Sequence, residues 1–565
     1  MITAPPVLGT QTIPSLWQYV LDKRPGVPAY LEEQADGWRE VSWAEAAERV
    51  DALGKGLLAR GVRHGDAVVV LARTRLEWLL LDWAIMSIGA VVVGLYPTNT
   101  AAECEYIVGH AEAVLAFVEN EEQYEKLASV FSGPIVRFDE IQALEAEGRS
   151  YGGPPADPVA EDDVATLIYT SGTTGPPKGV VLTHRNLVAA ASRATSSTNE
   201  DDVVLLFLPM AHSFARIAHQ GSAYNGATVS LVSDVARVPE ALQRTRPTFL
   251  PAVPRVYEKV HANTLGEIER TGGLRRRIGL WALDIGARTS RARREGAPVG
   301  GVLAVQERLA ERLVFAKVRE RLGGRLRLGI SGAAPLSTEV MEFFHALGVP
   351  VVEGYGLTET ASSATVNEPD DFRIGTVGRP VDGAEIRLAD DGEILVRSDS
   401  VFAGYYKEPE ATAAVLTDDG WLRTGDVGEV DAEGFLRITD RKKDLIITAG
   451  GKNIAPQNLE NALKASRFVS QAIVIGDRRP YVTALVTLDY AEVSSSGTDP
   501  QKLVQRLVDD VNRDRTRVEQ IKRFVILPRD FSQEEGEVTP TLKLRRRVIH
   551  EHFADEIEEL YAAES

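Results

Sequence analysis

A single cysteine, Cys104, stands among 565 residues, which excludes an intramolecular disulfide and a cysteine-built zinc site. That usage fits a reducing, cytoplasmic compartment. Basic charge is short as well: 63 Lys and Arg against 81 Asp and Glu leave a net charge of −18, whereas nucleic-acid binding draws its affinity from many cations neutralising phosphates. No nucleic-acid partner is expected. Long apolar runs are lacking too. The strongest, residues 78–96, is interrupted by Asp82 and stopped by Pro97, short of the roughly 20 apolar residues a transmembrane helix needs. It reads as a buried helix running into a strand, and no transmembrane helix is expected. The opening MITAPPVLGTQTIPSL has no basic segment followed by an apolar core, so a secretory signal is not expected either. Repeats and low-complexity tracts are absent.

What remains is the composition of a globular enzyme, 44% hydrophobic and 25% charged, at a length that implies several domains of about 150 residues each. Helix-like segments alternate with short Val/Ile/Leu runs such as residues 67–71, 90–95 and 114–118, the rhythm of a largely parallel α/β sheet. Residues 145–163, rich in Gly, Pro and acidic groups, read as a surface connection into a buried strand. Residues 269–328 carry Arg275, Arg276, Arg277, Arg288, Arg291, Arg293 and Arg294 ahead of a helical stretch. This predicts a basic helical hairpin, either a solvated surface or a face resting on anionic lipid headgroups. Short strands with Gly turns over 375–437 predict a small all-β unit. The charged DRKKD at 440–444 marks a boundary between residues 1–440 and a second mixed α/β unit, 441–565.

Chemistry concentrates in a few blocks. Residues 169–179, YTSGTTGPPKG, combine glycines with hydroxyls and a cation, donors suited to phosphate oxygens. The loop is not a Walker A sequence, because Lys178 is followed by Gly179 and the glycine spacing differs; in isolation such a loop is more often a surface turn. In EGYGLTET, residues 353–360, Gly354 and Gly356 permit a tight turn near a planar ligand. Tyr355 offers a ring to stack on a base, and Thr358 and Glu359 offer oxygens to a hard cation.

The 169–179 loop resembles, residue for residue, the phosphate loop of the adenylate-forming superfamily of acyl-CoA synthetases, peptide-synthetase adenylation domains and luciferases. Further blocks follow in that family's order: SGAAPLS at 331–337, EGYGLTET, GWLRTGD at 420–426, DRKKD, and PTLK ending at Lys543. The resemblance implies a large N-terminal domain of α/β subdomains with a β-rich subdomain at about 375–440, and a smaller mobile α/β C-terminal domain. It also implies ATP and coenzyme A as co-substrates with magnesium as cofactor. On the matching positions it implies nucleotide contacts from Thr170, Ser171, Gly172, Thr173, Thr174, Gly175, Lys178, Ala333, Ala334, Glu353, Gly354, Tyr355, Gly356 and Thr358. Asp426 would take the ribose with help from Arg441, and Glu359 and Thr170 would hold the metal. Lys543 would be the catalytic lysine, with Thr358 beside it, and Lys443 the hinge. Gly450 and Gly451 would belong to a loop that turns towards the thiol of coenzyme A.

LPMAHSFAR at 208–216 and AVPRVYEKV at 252–260 resemble the long-chain fatty acyl-CoA synthetase branch, which implies that His212 lies on the pocket side and joins Lys543 and Thr358 as a catalytic residue. Arg216 departs from the tryptophan gate of some bacterial members. The expected activity is ATP-dependent ligation of a fatty acid to coenzyme A, with peripheral membrane contact through 269–328. A fatty acyl-AMP ligase serving a carrier protein and a non-enzymatic lipid-binding module are the alternatives.

Overall fold

The computed structural model describes residues 11–170, 176–193, 198–449, 452–513, 515–539 and 543–562. Two large sheets with parallel cores dominate the α/β architecture. In the seven-stranded sheet, Val164–Thr170, Val91–Leu95, Ala67–Leu71, Leu115–Val118 and Ile135–Arg137 run parallel, and Lys178–Thr183 and Gly404–Tyr405 extend one edge in antiparallel fashion. The nine-stranded sheet has a parallel core of Val351–Tyr355, Leu328–Ser331, Phe249–Ala252, Val203–Leu206, Thr228–Leu231 and Pro28–Gln34. Every residue of Ala67–Leu71 and Val91–Leu95 is buried, as parallel strands covered on both faces require.

The main core is shared by both sheets and contains the helix Leu76–Ser87, apolar almost all round and therefore confined to the interior. The charge that interrupts this run is accounted for: Asp82 pairs with Arg216 of the helix Ser213–Asn225 at 2.9 Å, and neither side chain is more than 1% exposed. Buried charges persist only when paired.

Two sequence expectations need correction. The connection over 145–163 starts late, because residues to Arg149 belong to the helix Ile141–Arg149. There Glu145 is buried against Arg49 and Arg149, each at 2.9 Å, and a Cβ on Gly148 would fall 1.8 Å from the Ala52 carbonyl oxygen. That glycine lets two helices approach rather than turning the chain. The 375–437 segment is not an independent all-β unit. Its own antiparallel sheet is Glu385–Leu388, Glu393–Arg397, Leu422–Val430 and Leu436–Arg441, while Arg379–Pro380 and Gly404–Tyr405 join the two large sheets and Pro409–Val415 is helical.

The basic segment forms the expected hairpin, Gly273–Arg294 against Gly301–Ala310, which continues through a wide turn at Glu311–Phe315 into Ala316–Arg321. Leu274, Leu280, Val302, Val305, Leu309 and Leu313 are exposed on it. Among the described residues no helix is long and apolar enough to cross a membrane.

The last part of the chain builds a three-stranded sheet, Val469–Ile475, Val482–Leu488 and Ile521–Ile526, around its own apolar core. It meets the rest of the molecule through Arg467 and Glu269 at 2.7 Å, Arg545 and Glu103 at 3.5 Å, and Gln533 Nε2 donating to the Thr98 carbonyl at 3.0 Å.

Candidate active site

Open α/β sheets bind ligands beyond the carboxyl ends of their parallel strands, where the chain leaves the ladder and its loops diverge. A cleft of about 3020 Å³ occupies that place. Tyr96 and Asn99 follow Val91–Leu95 into it, His212 follows Val203–Leu206, and Val253 follows Phe249–Ala252. Ala333 and Ala334 follow Leu328–Ser331, and Gly356 to Glu359 follow Val351–Tyr355. Thr170, the end of its strand, is paired across the ladder with Lys178, and both line the cleft.

On one wall the Tyr355 hydroxyl donates to Asp426 Oδ2 at 2.7 Å, and Arg441 Nε lies 3.3 Å from Oδ1. Asp426 and Arg441 face each other across antiparallel strands, so the ladder itself fixes this pair. A carboxylate has about four acceptor positions, and Asp426 keeps capacity for further donors. Burial, then the charge of Asp426, pushes the Tyr355 phenol well above its ordinary range, so it stays a donor.

The turn after Tyr355 folds back on itself. Thr358–Thr360 is a single 3₁₀ turn, followed by Ala361 and Ser362 at φ of 46° and 61°. A Cβ on Gly356 would lie 2.3 Å from the carbonyl carbon of Ser362, whereas one on Gly354 would meet nothing nearer than 3.5 Å. The turn delivers Glu359 to the Tyr405 hydroxyl, 2.7 Å away. Tyr405 also carries the Lys178 ammonium 4.9 Å above its ring. Two residues before Tyr355 on the same strand, the Glu353 carboxyl accepts from the Leu336 amide at 2.8 Å, and burial pushes its pKa up to about 8. Burial thus favours its neutral form.

Lys543 reaches this cleft from the C-terminal unit. Desolvation, reinforced by Arg441, lowers its pKa to about 8 against the opposing pull of Asp426 and Glu359. His212 caps the helix Ser213–Asn225, its Nδ1 accepting from the Phe214 amide at 3.1 Å. Desolvation and the Lys543 charge hold its pKa at about 3, so the ring is neutral with its proton on Nε2. One face of that helix, Phe214, Ile217, Ala218 and Ser222, lines the same cleft together with Phe249, Pro251 and Ile330, and Phe214 packs on the apolar cluster that holds Phe249 and Ile330.

The cleft brings together Thr170, Lys178, His212, Ala333, Ala334, Glu353, Gly354, Tyr355, Gly356, Thr358, Glu359, Asp426, Arg441, Lys443 and Lys543. Ser171, Gly172, Thr173, Thr174, Gly175, Gly450 and Gly451 lie outside the described residues. Arg216 points into the core, where its Nε donates to the Met210 carbonyl at 3.2 Å. Sequence reasoning passed over Tyr405, which holds both Glu359 and Lys178, and Leu336, which acts through its backbone amide. Neither carries a local signal beyond an aromatic after a glycine and an apolar residue after a proline.

Residues 17–406 match the AMP-binding enzyme family, and residues 443–565 match the AMP-binding enzyme C-terminal domain. The chain is 39% identical over 563 residues to the long-chain-fatty-acid–CoA ligase FadD15 of Mycobacterium tuberculosis, covering 93% of each. It is 31% identical to human long-chain-fatty-acid–CoA ligase 1 over 92% of this chain and 82% of that one. Among solved structures it is similar to the adenylation domain of a carboxylate reductase from Mycobacterium chelonae, with a TM-score of 0.80 at 24% identity over 99% of this chain and 92% of that one. It also resembles ATP-bound MatB from Rhodopseudomonas palustris, with a TM-score of 0.73 at 24% identity over 96% and 99%. At such identities these two likenesses concern the fold. With the family model and relatives of this coverage in agreement, the chain belongs to the AMP-binding enzymes.

Proposed function

We propose that this protein is an ATP-dependent, AMP-forming fatty acid–CoA ligase with long-chain acids as its substrate class, a reading supported by the names and coverage of its relatives. The observation that carries it is the meeting of Lys543, Asp426 and Glu359 in one cleft that the apolar side chains Phe214, Ile217, Phe249 and Ile330 also line. In the first half-reaction a carboxylate oxygen attacks the α-phosphorus of ATP and the bond to pyrophosphate breaks, giving acyl-AMP. As the carboxylate gives up its electrons to phosphorus, negative charge moves to the non-bridging oxygens and the departing pyrophosphate oxygen, and the Lys543 ammonium, desolvated and therefore strongly felt, stabilises it. Asp426 and Arg441 orient the ribose, Tyr355 and Glu353 flank the adenine, and Thr170 and Lys178 lead into the phosphate loop. The donor set suits magnesium, which takes one or two protein oxygens and the rest from phosphates and water: Glu359 and Thr170 would hold it, and it would neutralise the phosphates. In the second half-reaction the sulfur of coenzyme A attacks the acyl carbonyl, the bond to the AMP phosphate breaks, and the thiol proton is released. Residues 441–565 would rotate about Lys443 between the two, withdrawing Lys543 and bringing in the loop of Gly450 and Gly451.

The reading includes a lipid-facing side. Val302, Val305, Leu309 and Leu313 recur on one helical face beside exposed Arg308 and Arg312, with Leu274 and exposed Arg275, Arg276 and Arg277 on the partner helix, a pattern that fits anionic headgroups. Flotation with anionic and with neutral vesicles tests this, and equal recovery from both would remove it. Pyrophosphate release measured over a panel of carboxylates, with and without coenzyme A, tests the activity. Turnover with long-chain acids that needs coenzyme A is expected; acyl-AMP that no coenzyme A discharges would contradict it.

A further inference from the structure

Lys543 sits on a short hairpin. Val538 and Leu544 form an antiparallel bridge, the Thr539 amide donates to the Lys543 carbonyl at 2.9 Å, and the Lys543 amide donates back to Thr539 Oγ1 at 3.0 Å. At its base lies Glu537, whose side chain is 0% exposed. Glu537 Oε2 accepts from Arg529 Nη1 at 2.6 Å and the Ser532 amide at 3.0 Å. Oε1 accepts from Arg529 Nη2 at 2.7 Å and His552 Nδ1 at 3.0 Å. The four donors fill the acceptor positions a carboxylate has. Burial alone would raise its pKa, but Arg529, His552 and the Ser532 amide hold it down to about 2. The Arg545 amide, two residues past Lys543, closes the base by donating to the Glu537 carbonyl at 2.7 Å. Gln533 and Arg545, on either side of this knot, are the residues that touch Thr98 and Glu103 of the large domain.

We propose that Glu537 is a positioning residue for adenylate formation: by tying both strands of the hairpin to Arg529, Ser532 and His552, it fixes where the Lys543 ammonium enters the cleft. This rests on the reading of Lys543 given above. A bidentate arginine clamp fixes direction as well as distance, and a long side chain delivered from a loose hairpin would scatter its charge. Misplacing a catalytic group by about 1 Å costs up to about 100-fold in rate. The thioester half-reaction, from which Lys543 is withdrawn, does not need the clamp.

Glu537→Gln keeps the shape but turns one acceptor into a donor facing Arg529 or His552. Adenylate formation and thioester formation from supplied acyl-AMP are measured separately in the full-length enzyme, in wild type, Glu537→Gln, Lys543→Ala and the double variant. Glu537→Gln is expected to slow adenylate formation by roughly 10- to 100-fold, to leave the thioester step within about twofold, and to add nothing on the Lys543→Ala background. Equal loss in both half-reactions, an additive loss in the double variant, or no loss at all would overturn the proposal. If Lys543→Ala itself kept adenylate formation, the reading of the lysine would fail instead. Should Glu537→Gln not fold, Arg529→Gln removes the clamp from its exposed side and must give the same one-sided pattern.

Discussion

If Lys543 stabilises the transition state as proposed, its electrostatics sets a rate. A pKa lowered to about 8 means that its charged form is present below that pH and is lost above it. If the ammonium is the working form, kcat/KM for adenylate formation falls as pH rises through about 8. His212, held at about 3, does not titrate there, whereas Glu353, pushed up to about 8, does and is the competing candidate. Lys543→Arg, with a guanidinium that stays protonated beyond about pH 12, is expected to flatten the decline whatever rate it retains; pyrophosphate release across that range checks it, and an unchanged decline would assign the titration to another group. At this scale the sequence picked out side chains inside contiguous blocks, and three of them, Glu359, Asp426 and Lys543, line one cleft in the structure. It was silent where the function lies in a pairing between distant residues. Tyr405 meets Glu359 across 46 positions, and the surroundings of Glu537, which lies just ahead of the PTLK block, emerge only once Arg529 and His552 are folded around it.

At the scale of the element, backbone geometry decides which glycines matter. Gly354 and Gly356 look alike in EGYGLTET, yet only Gly356 is pressed against the chain, with Ser362 backbone 2.3 Å from where a Cβ would stand. Gly356→Ala is expected to cost about 1–3 kcal/mol through overpacking and to displace Glu359, raising the magnesium concentration needed for activity. Gly354→Ala should cost less than about 1 kcal/mol, the size of a tolerated swap. Thermal unfolding and a metal titration of the pair check this, and equal behaviour would refute the turn's role. Periodicity identified the long elements, including the helix and strand within 78–96 and the basic hairpin. It failed where two-residue strands such as Gly404–Tyr405 take their partners from another sheet, because no local pattern specifies a tertiary pairing.

At the scale of the whole molecule, ion pairs and hydrogen bonds that join the C-terminal unit to the rest include, among the described residues, Arg467 with Glu269, Arg270 with Glu492, Arg545 with Glu103, and Gln533 with the Thr98 carbonyl. Partly exposed ion pairs contribute about 0–1 kcal/mol each, so the arrangement is one that substrate turnover can undo. On the mechanism proposed above the two half-reactions ask for opposite placements of Lys543, which would tie function to rotation at Lys443. Proline there fixes φ near about −65° and hinders that rotation. The most direct measurement is the pair of half-reaction rates in Lys443→Pro beside those in Lys543→Ala. Rotation about one pivot predicts mirrored outcomes: Lys443→Pro forms acyl-AMP but transfers it poorly to coenzyme A, while Lys543→Ala fails to form acyl-AMP, by about 100-fold or more, yet transfers supplied acyl-AMP well. A Lys443→Pro enzyme with full thioester turnover, or a Lys543→Ala enzyme impaired equally in both steps, would contradict it.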